Sequence, residues 1–526
     1  MRTTSPRERI LLGFLLALAI LLRVSHLGRF PLWLDEAATW WNATRPTWLG
    51  TIQAEANLPP AWWLVTRAWI GCFGDGEAAL RFPAAILGAV AVALTFVLAA
   101  RLMEEPAGAR AADPRRAPLL GVPLLATALA CLGGFWIEYA QEARMYSLLL
   151  VESLLLSILV LRWVDTGRAR HAVLYFAIAT LALYTHVLAI WTLLGHALFL
   201  AGLAAVNRNR AAMGRLLGIV LAQGAAVILF LPWILRILAS SVGVSSGHRF
   251  PTAPRLVYSF WRLAVGPALA PIDRLRVDAG LPAFVHAEAP VLIVTAGLWA
   301  LCVVLGLWGM RRRRRSGWFL ILMILVQAGG MLALQSSVPL MHEKYLIALA
   351  PLLVILAAAG ACTAPRPVRP FLATALLLVA LASTIAYHFP ENVLVRRLFI
   401  HGHPNGKEQW RELEASIRAR SDPGTVVVLH PAYLQPAWDY YDRGRLTSVG
   451  LPLIPATSAA LHRALPMLAG ADRTFFVLAH DQDAERNRLL GVLARDRGVP
   501  DSVLTRKLEL FPRQWGLRVL ELGPAR

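Results

Sequence analysis

Charge is what this sequence has least of. Only 16% of its 526 residues are Asp, Glu, Lys or Arg, against roughly 25% in an ordinary soluble domain. With 57% apolar residues and a mean hydropathy of +0.55, that shortage excludes a water-soluble globule. Lysine is nearly missing: it occurs only at 344, 407 and 507, so the basic residues are almost all arginine, a bias that points to a GC-rich bacterial genome. Cysteine is scarce as well. Cys72, Cys131, Cys302 and Cys362 are scattered and mostly lie within apolar runs, which argues against a disulfide framework and against a CxxC metal site. A signal-cleavage site is also lacking. Arg2, Arg7 and Arg9 precede an apolar run, but no small-residue cleavage signal follows before Arg29, so this first segment is expected to remain as a signal anchor. No internal repeat recurs at a fixed period.

What is present is a series of long apolar stretches. A net charge of +20 would suit nucleic acid, but the arginines fall in short runs between apolar stretches, as the positive-inside rule requires. We therefore read the charge as topology, with membrane lipid and not nucleic acid as the partner. A span needs about 20 apolar residues, and the chain accommodates about eleven. They are expected near 10–28, 78–100, 118–135 and 147–163, as a hairpin of two within 172–206, and then near 214–234, 291–309, 317–334, 346–362 and 370–388. Arg101, Arg110, Arg115, Arg116 and the run Arg311 to Arg315 mark the inner side. Residues 29–77 and 235–290 then form long outer segments, and the turn Tyr184-Thr185-His186 lies outside. The Gly/Ser-containing stretch Val242 to Gly247 in the second segment would let it order over substrate as a lid.

After Phe389 the composition is that of a soluble protein. A helical stretch over Lys407 to Arg420 and β-rich runs at Thr425 to Leu429 and Thr474 to Leu478 predict a small α/β domain. The expected organisation is a transmembrane domain over 1–388 and an extracytoplasmic α/β domain over 389–526, that is, a polytopic α-helical membrane protein with a soluble C-terminal domain.

The polar residues that stand out fall on one expected side of the membrane: Asp35, Glu36, Glu55 and Asn57, then Glu138, Gln141, Glu142, Arg144 and Tyr146, and finally His186, His342, Glu343, Lys344 and Tyr345. Convergence on one face is what a site at the membrane surface requires. No His, Asp or Glu cluster has metal-ligand spacing; no cofactor is implied, and a divalent metal is left open.

Several of these residues sit in recognisable surroundings. Phe30-Pro31-Leu32-Trp33-Leu34-Asp35-Glu36-Ala37, then Glu55-Ala56-Asn57-Leu58-Pro59-Pro60 and Trp62-Trp63, resemble the start of the polyprenyl-phosphate-sugar-dependent glycosyltransferases of the GT-C class, which include protein O-mannosyltransferases and lipid A aminoarabinose transferases. The likeness continues at Gln141-Glu142-Ala143-Arg144-Met145-Tyr146, Tyr184-Thr185-His186, Lys344-Tyr345 and Lys407-Glu408-Gln409-Trp410-Arg411, and so covers nearly the whole chain. Two departures stand out. Where the family often has His before Pro-Pro the chain has Asn57 and Leu58, and where it often has Arg-Tyr the chain has Lys344-Tyr345, which keeps the charge but loses the guanidinium fork.

The resemblance implies a GT-C fold in a bacterial inner membrane, with the site and the C-terminal domain on the periplasmic or extracellular side. It also implies transfer of one sugar from a polyprenyl-phosphate donor to a protein, lipid or glycan acceptor. The chemistry is consistent with that. A phosphate is a good leaving group that needs no general acid, so one base suffices: Asp35 for an inverting displacement, with Glu36 as helper. Arg144, Lys344, Tyr146 and Tyr345 are then candidates to hold the donor phosphate. Glu55, Asn57, Glu138, Gln141, Glu142, His186 and His342 are candidates for substrate contacts. Other accounts stay open. Asp35-Glu36 also reads as the first turn of a helix over Ala37 to Trp41, Arg144 and Lys344 as snorkelling side chains, and His186 and His342 as structural hydrogen-bonders. Trp40, Trp41, Trp48, Trp62, Trp63 and Trp69 read as an interfacial belt. A lipid-carrier transporter or flippase would need similar spans and a phosphate site, though with ionisable groups near mid-membrane.

Overall fold

The computed structural model describes residues 5–104, 121–240, 252–267, 269, 280–335, 342–389, 408–451, 471–479 and 517–522. In chain order the helices are α1 (Pro6–Val24), α2 (Leu34–Ala43), α3 (Trp48–Gln53), α4 (Ala61–Phe73), α5 (Glu77–Met103), α6 (Gly121–Leu132), α7 (Gly134–Ala140), α8 (Tyr146–Thr166) and α9 (Ala169–Thr185). There follow α10 (Ala189–Asn207), α11 (Arg210–Ala239), α12 (Thr252–Val265), α13 (Gly280–Met310), α14 (Arg314–Gln335), a 3₁₀ helix (Glu343–Leu349) running into α15 (Ala350–Thr363), α16 (Arg369–His388), α17 (Trp410–Arg418) and α18 (Gln435–Asp442). The chain divides into two compact units. One comprises Met1–Leu27, Thr47–Trp69 and Arg81–Asn405; the other comprises Gly28–Pro46, Ile70–Leu80 and Gly406–Arg526. The first long outer segment of the sequence is thus shared between them.

The first unit is a helix bundle. Among the described residues eight helices are long and apolar enough to cross a membrane, or nine if the bent pair α6 and α7 forms one span. The outward faces are apolar, with Ile10 and Phe14 on α1 and Leu217, Leu221, Ile228 and Leu235 on α11 exposed. Such rows are tolerated only where lipid covers them. This is a multi-pass membrane protein. Helices occupy the stretches expected from the sequence, but α1 and α9 are not among these eight or nine, so the expected eleven spans are not all met, and two further differences stand out. The segment 235–290 contains α12 and the first turns of α13, so its described part is helical and not loop; Val242 to Gly247 lie outside the described residues. The third expected span is broken. α6 and α7 meet at 57°, and the turn at Gly133-Gly134 has no room for side chains: a Cβ on Gly133 would strike Leu129 O, and one on Gly134 the Ser383 side chain.

A kink frees carbonyls that must be satisfied inside a membrane. Arg23, wholly buried at the end of α1, supplies its guanidinium: Nη2 donates to Ala130 O (2.8 Å) and Nη1 to Cys131 O (3.2 Å), while Thr384 Oγ1 donates to Leu132 O. Elsewhere α13 and α15 cross with almost no gap, because Gly306 and Gly360 face each other's backbones where any Cβ would collide, as in small-residue membrane crossings.

The second unit is built on a four-stranded sheet of β1 (Thr425–His430), β2 (Thr447–Gly450), β3 (Arg473–Ala479) and β4 (Leu517–Leu522), in spatial order β2-β1-β3-β4. The first three are parallel, with Thr425 opposite Arg473, and β4 is antiparallel to β3. The continuous run Thr425 to His430 is buried along its whole length, as a central strand covered on both faces must be. The expected α/β domain is therefore present, with α17 inside the expected helical stretch; Lys407 lies outside the described residues. Its core also takes in Ala37 of α2, beside Trp410, Leu413, Trp438 and Phe475.

Candidate active site

Two constellations carry the residues singled out in the sequence, one in each unit. In the bundle, the bend at Gly133 swings α7 away so that the chain from Glu138 to Tyr146 crosses the end of the bundle before α8 begins. Gln141 pins this crossing. Its Nε2 lies within hydrogen-bond distance of the last carbonyls of α1, Leu22 (3.1 Å), Arg23 (3.1 Å) and Ser25 (2.8 Å), and its Oε1 accepts from Tyr387 OH at 3.3 Å. The predicted substrate contact at Gln141 is thus occupied by backbone. Trp62 Nε1 holds the same turn by donating to Ala143 O at 3.1 Å.

Around the turn gather Tyr146, His186, Lys344 and Tyr345. The Tyr146 ring lies 6.2 Å from the His186 ring and 6.4 Å from Tyr345, and His186 lies 5.6 Å from Tyr345. Lys344 Nζ sits 5.7 Å from the Tyr146 ring centre and 5.5 Å from that of Tyr345, within cation–π reach. Arg144, buried at 5% exposure, is close enough to His186 to act on it electrostatically. Burial first, then the charges of Arg144 and Lys344, push the His186 imidazole down to about 3. It is neutral at working pH. His186 occupies the non-helical link between α9 and α10, where its Nδ1 accepts from Leu188 N–H at 3.2 Å. The proton of the neutral ring therefore belongs on Nε2, and that buried atom has no hydrogen-bond partner among the described residues. Two cations and one neutral N–H donor thus converge, a set of donors matched to an anion.

Behind them lies a buried ion network. Arg262 of α12 reaches Glu138 Oε1 with Nη2 (3.1 Å) and approaches Glu343 Oε1 with Nε (3.0 Å), and Tyr258 OH accepts from its Nη1 at 3.2 Å. His342 caps the 3₁₀ helix by accepting from Lys344 N–H at 3.4 Å, with Glu343 Oε2 3.2 Å from the same ring nitrogen. Glu142 is buried in the same turn, its carbonyl accepting from Arg144 N–H at 2.7 Å. Glu55 is half-buried, and Asn57 Oδ1 accepts from Ser240 Oγ at 2.8 Å, at the end of α11. Two participants escaped the sequence reading. Arg262 lies in the long segment 235–290, where an arginine in the short apolar helix Leu256–Val265 is itself a signal. Glu152, wholly buried in α8, accepts from Thr185 Oγ1 at 2.8 Å; an acid in an apolar run is the signal there.

In the second unit, α2 carries the acidic pair. Glu36 is wholly buried, and its Oε2 accepts from Trp33 N–H at 3.3 Å, closing the first turn of the helix from within. That is a capping role. Asp35 is half-buried, one turn ahead of Thr39, whose Oγ1 donates to Asp35 O at 3.2 Å. Adjacent helical side chains point about 100° apart, so the two acids face different surroundings. Among the described residues no group of three or more His, Cys, Asp or Glu could hold a metal ion.

No protein-family model matches the chain, and no curated protein matches it in sequence. Solved structures do match in fold. ArnT from Cupriavidus metallidurans in the apo state aligns over 97% of this chain and 97% of its own at 14% identity, with a TM-score of 0.56. The same protein bound to undecaprenyl phosphate aligns over 98% of each chain at 14% identity with a TM-score of 0.53. The Archaeoglobus fulgidus oligosaccharyltransferase in the apo form covers 92% of this chain and 71% of its own at 11% identity, with a TM-score of 0.50. The chain has the GT-C fold over nearly its whole length.

Proposed function

We propose that this protein is a membrane glycosyltransferase that moves a single sugar from a polyprenyl-phosphate donor to an acceptor outside the cytoplasm. The observation that carries the reading is the convergence of Lys344, Arg144 and the Nε2–H of His186 at one end of the bundle, beside Tyr146 and Tyr345. Fold-level likeness to a protein solved with undecaprenyl phosphate supports a lipid-linked donor. These donors are suited to the phosphate: they bind it in the ground state and bind it more strongly as it takes up the electrons of the breaking bond.

In the proposed step the acceptor hydroxyl or amine attacks the anomeric carbon from the face opposite the phosphate. The bond from that carbon to the phosphate oxygen breaks and its electron pair leaves with the phosphate, while Asp35 takes the acceptor proton. One displacement inverts the anomeric configuration. The leaving phosphate needs no proton from the protein, and Glu36, committed to its cap, leaves Asp35 as the single base. We place the site and the α/β domain on the periplasmic or extracellular side of a bacterial inner membrane, on the strength of the arginine pattern.

The test is transfer from a labelled polyprenyl-phosphate sugar to cell-envelope acceptor by the purified protein. Asp35→Asn is expected to lower turnover by about 10²- to 10⁴-fold, the span typical of a general base, with donor binding retained. Undiminished turnover in that variant would remove Asp35 from the mechanism; lipid movement across vesicles with no sugar transfer by the parent protein would replace the transferase reading with a carrier.

A further inference from the structure

The helix that bears Asp35 is held by residues more than three hundred positions away in sequence, and its backbone shows how. The first N–H groups of any helix lack partners within it. At the start of α2, three consecutive amides each have a specific acceptor. Leu32 N–H donates to Tyr441 OH at 2.6 Å, Trp33 N–H to Glu36 Oε2 at 3.3 Å, and Leu34 N–H to Glu408 Oε2 at 3.1 Å. Two of the three acceptors belong to the α/β domain.

Neither acceptor is loose. Glu408 is 3% exposed, and the same Oε2 accepts from the indole N–H of the wholly buried Trp410 at 2.6 Å. Tyr441 OH donates onward to Glu77 Oε1 at 2.7 Å, and burial together with the Glu77 carboxylate pushes its phenol well above the usual range. Glu77 Oε2 receives Arg411 Nη1 at 2.9 Å, and the other arm of Arg411 donates to Arg29 O at 3.0 Å. Below the amides, Ala37 sits in one apolar core with Trp410, Leu413 and Trp438. The segment before Asp35 is therefore fixed by hydrogen bonds and the segment after it by packing.

We propose that Glu408 is a positioning residue for Asp35: by accepting the Leu34 amide it sets where α2 begins, and so the direction in which the next side chain projects. Tyr441 and Arg411 act further back, at Leu32 and Arg29. This gives the α/β domain a role in the reaction itself, as the part that aims the base, and it rests on the reading of Asp35 as that base. Displacement of a catalytic group by about 1 Å costs on the order of 10²-fold in rate, so a cap on the residue next to Asp35 bears directly on turnover.

Two measurements on the full-length protein in lipid nanodiscs test this. Glu408→Ala is expected to lower kcat by about 10²-fold while the KM for donor stays within about twofold, because the donor-binding groups of the bundle are untouched. Glu408→Gln, whose amide oxygen still accepts both N–H groups, is expected to restore most of the loss. Hydrogen exchange at the amides of residues 33–37 should quicken in the alanine variant and not in the glutamine variant. Tyr441→Phe keeps the ring and removes the hydroxyl, so it provides a milder variant of the same kind, with a smaller fall in kcat and faster exchange, should Glu408→Ala not fold. Faster exchange with unchanged turnover would overturn the positioning role, and unchanged exchange would overturn the clamp. The exchange readout does not depend on sugar transfer. If Asp35→Asn keeps full turnover while Glu408→Ala frees α2, it is the base assignment that has failed.

Discussion

The bundle carries a charged cluster at each end of α8, and the two are built on opposite principles. At the Thr166 end, Asp165 receives Arg101 at 2.8 Å and Arg315 at 2.5 Å, with side chains 21–40% exposed. At the Tyr146 end, Arg262 is paired with Glu138 and Glu343, with side chains 4–11% exposed. The helix between them has 21 residues, a length of about 30 Å. In the first cluster Arg101 and Arg315 meet Asp165 and Glu104 near the surface, and water or headgroups share the work, as suits a topology marker. In the second, one guanidinium lies between two carboxylates out of reach of solvent, and Arg144 and Lys344 lie close by. A protein that needed only to fix its orientation would have no use for the second arrangement. Buried charge of both signs gathered at one end of a bundle belongs to a site that expects a ligand.

Breaking the buried cluster should have the largest effect. Arg262→Ala removes the guanidinium that both acids face and is expected to cost about 3–5 kcal/mol, read as lost thermal stability of the solubilised protein. The triple change Arg262→Met, Glu138→Gln, Glu343→Gln should recover most of it, since removing a whole buried network is far milder than removing one partner. Next comes Lys344→Ala, which removes one charge-assisted contact. Donor affinity should fall about tenfold, by equilibrium binding of a polyprenyl phosphate, and Arg315→Ala at the far end should leave it unchanged. Asp165→Asn should cost no more than about 1 kcal/mol, with the difference vanishing at high salt; a larger cost would mean the two clusters are alike. The smallest effect is expected at Asp75 in the second unit. Burial alone would raise its carboxyl, but hydrogen bonds from Arg443 (2.8 Å) and Trp40 (2.9 Å) hold it below the usual value. Its contribution is fully present above the unfolded value of 3.8 and is lost as pH falls through the lower folded value. The stability gap between the parent and Asp75→Asn should accordingly close below about pH 4, and a gap that widens on acidification would contradict the assignment.

The spans were legible because apolar runs and arginine punctuation need no tertiary information. The break at Gly133 was not. A Gly-Gly pair in an apolar run reads as a tolerable weakness, and what makes it a bend is Arg23, 107 residues away from the carbonyl it satisfies at Ala130. Of the four C-terminal strands, β1 and β3 were legible from their β-branched and aromatic runs, whereas β2 and β4 were not. Lys344, Tyr345, Tyr146 and His186 were named in the sequence and lie together, whereas Gln141 was named for substrate and serves backbone. Residue type suggests both roles equally, and only the neighbouring carbonyls of α1 decide. Arg262 and Glu408 were opaque for one reason. Each acts on groups far off in sequence, and local pattern carries no record of which distant amide or carboxylate a side chain will meet.

The hydrogen bond from Leu34 to Glu408 spans 374 positions, and that separation has a meaning in time. A ribosome adding roughly 5 to 20 residues per second takes about 20 to 75 s to make that much chain. For that interval the helix of Asp35 has been synthesised but lacks its cap, its Trp410 neighbour and most of its apolar core. The acidic pair is made long before its surroundings are finished.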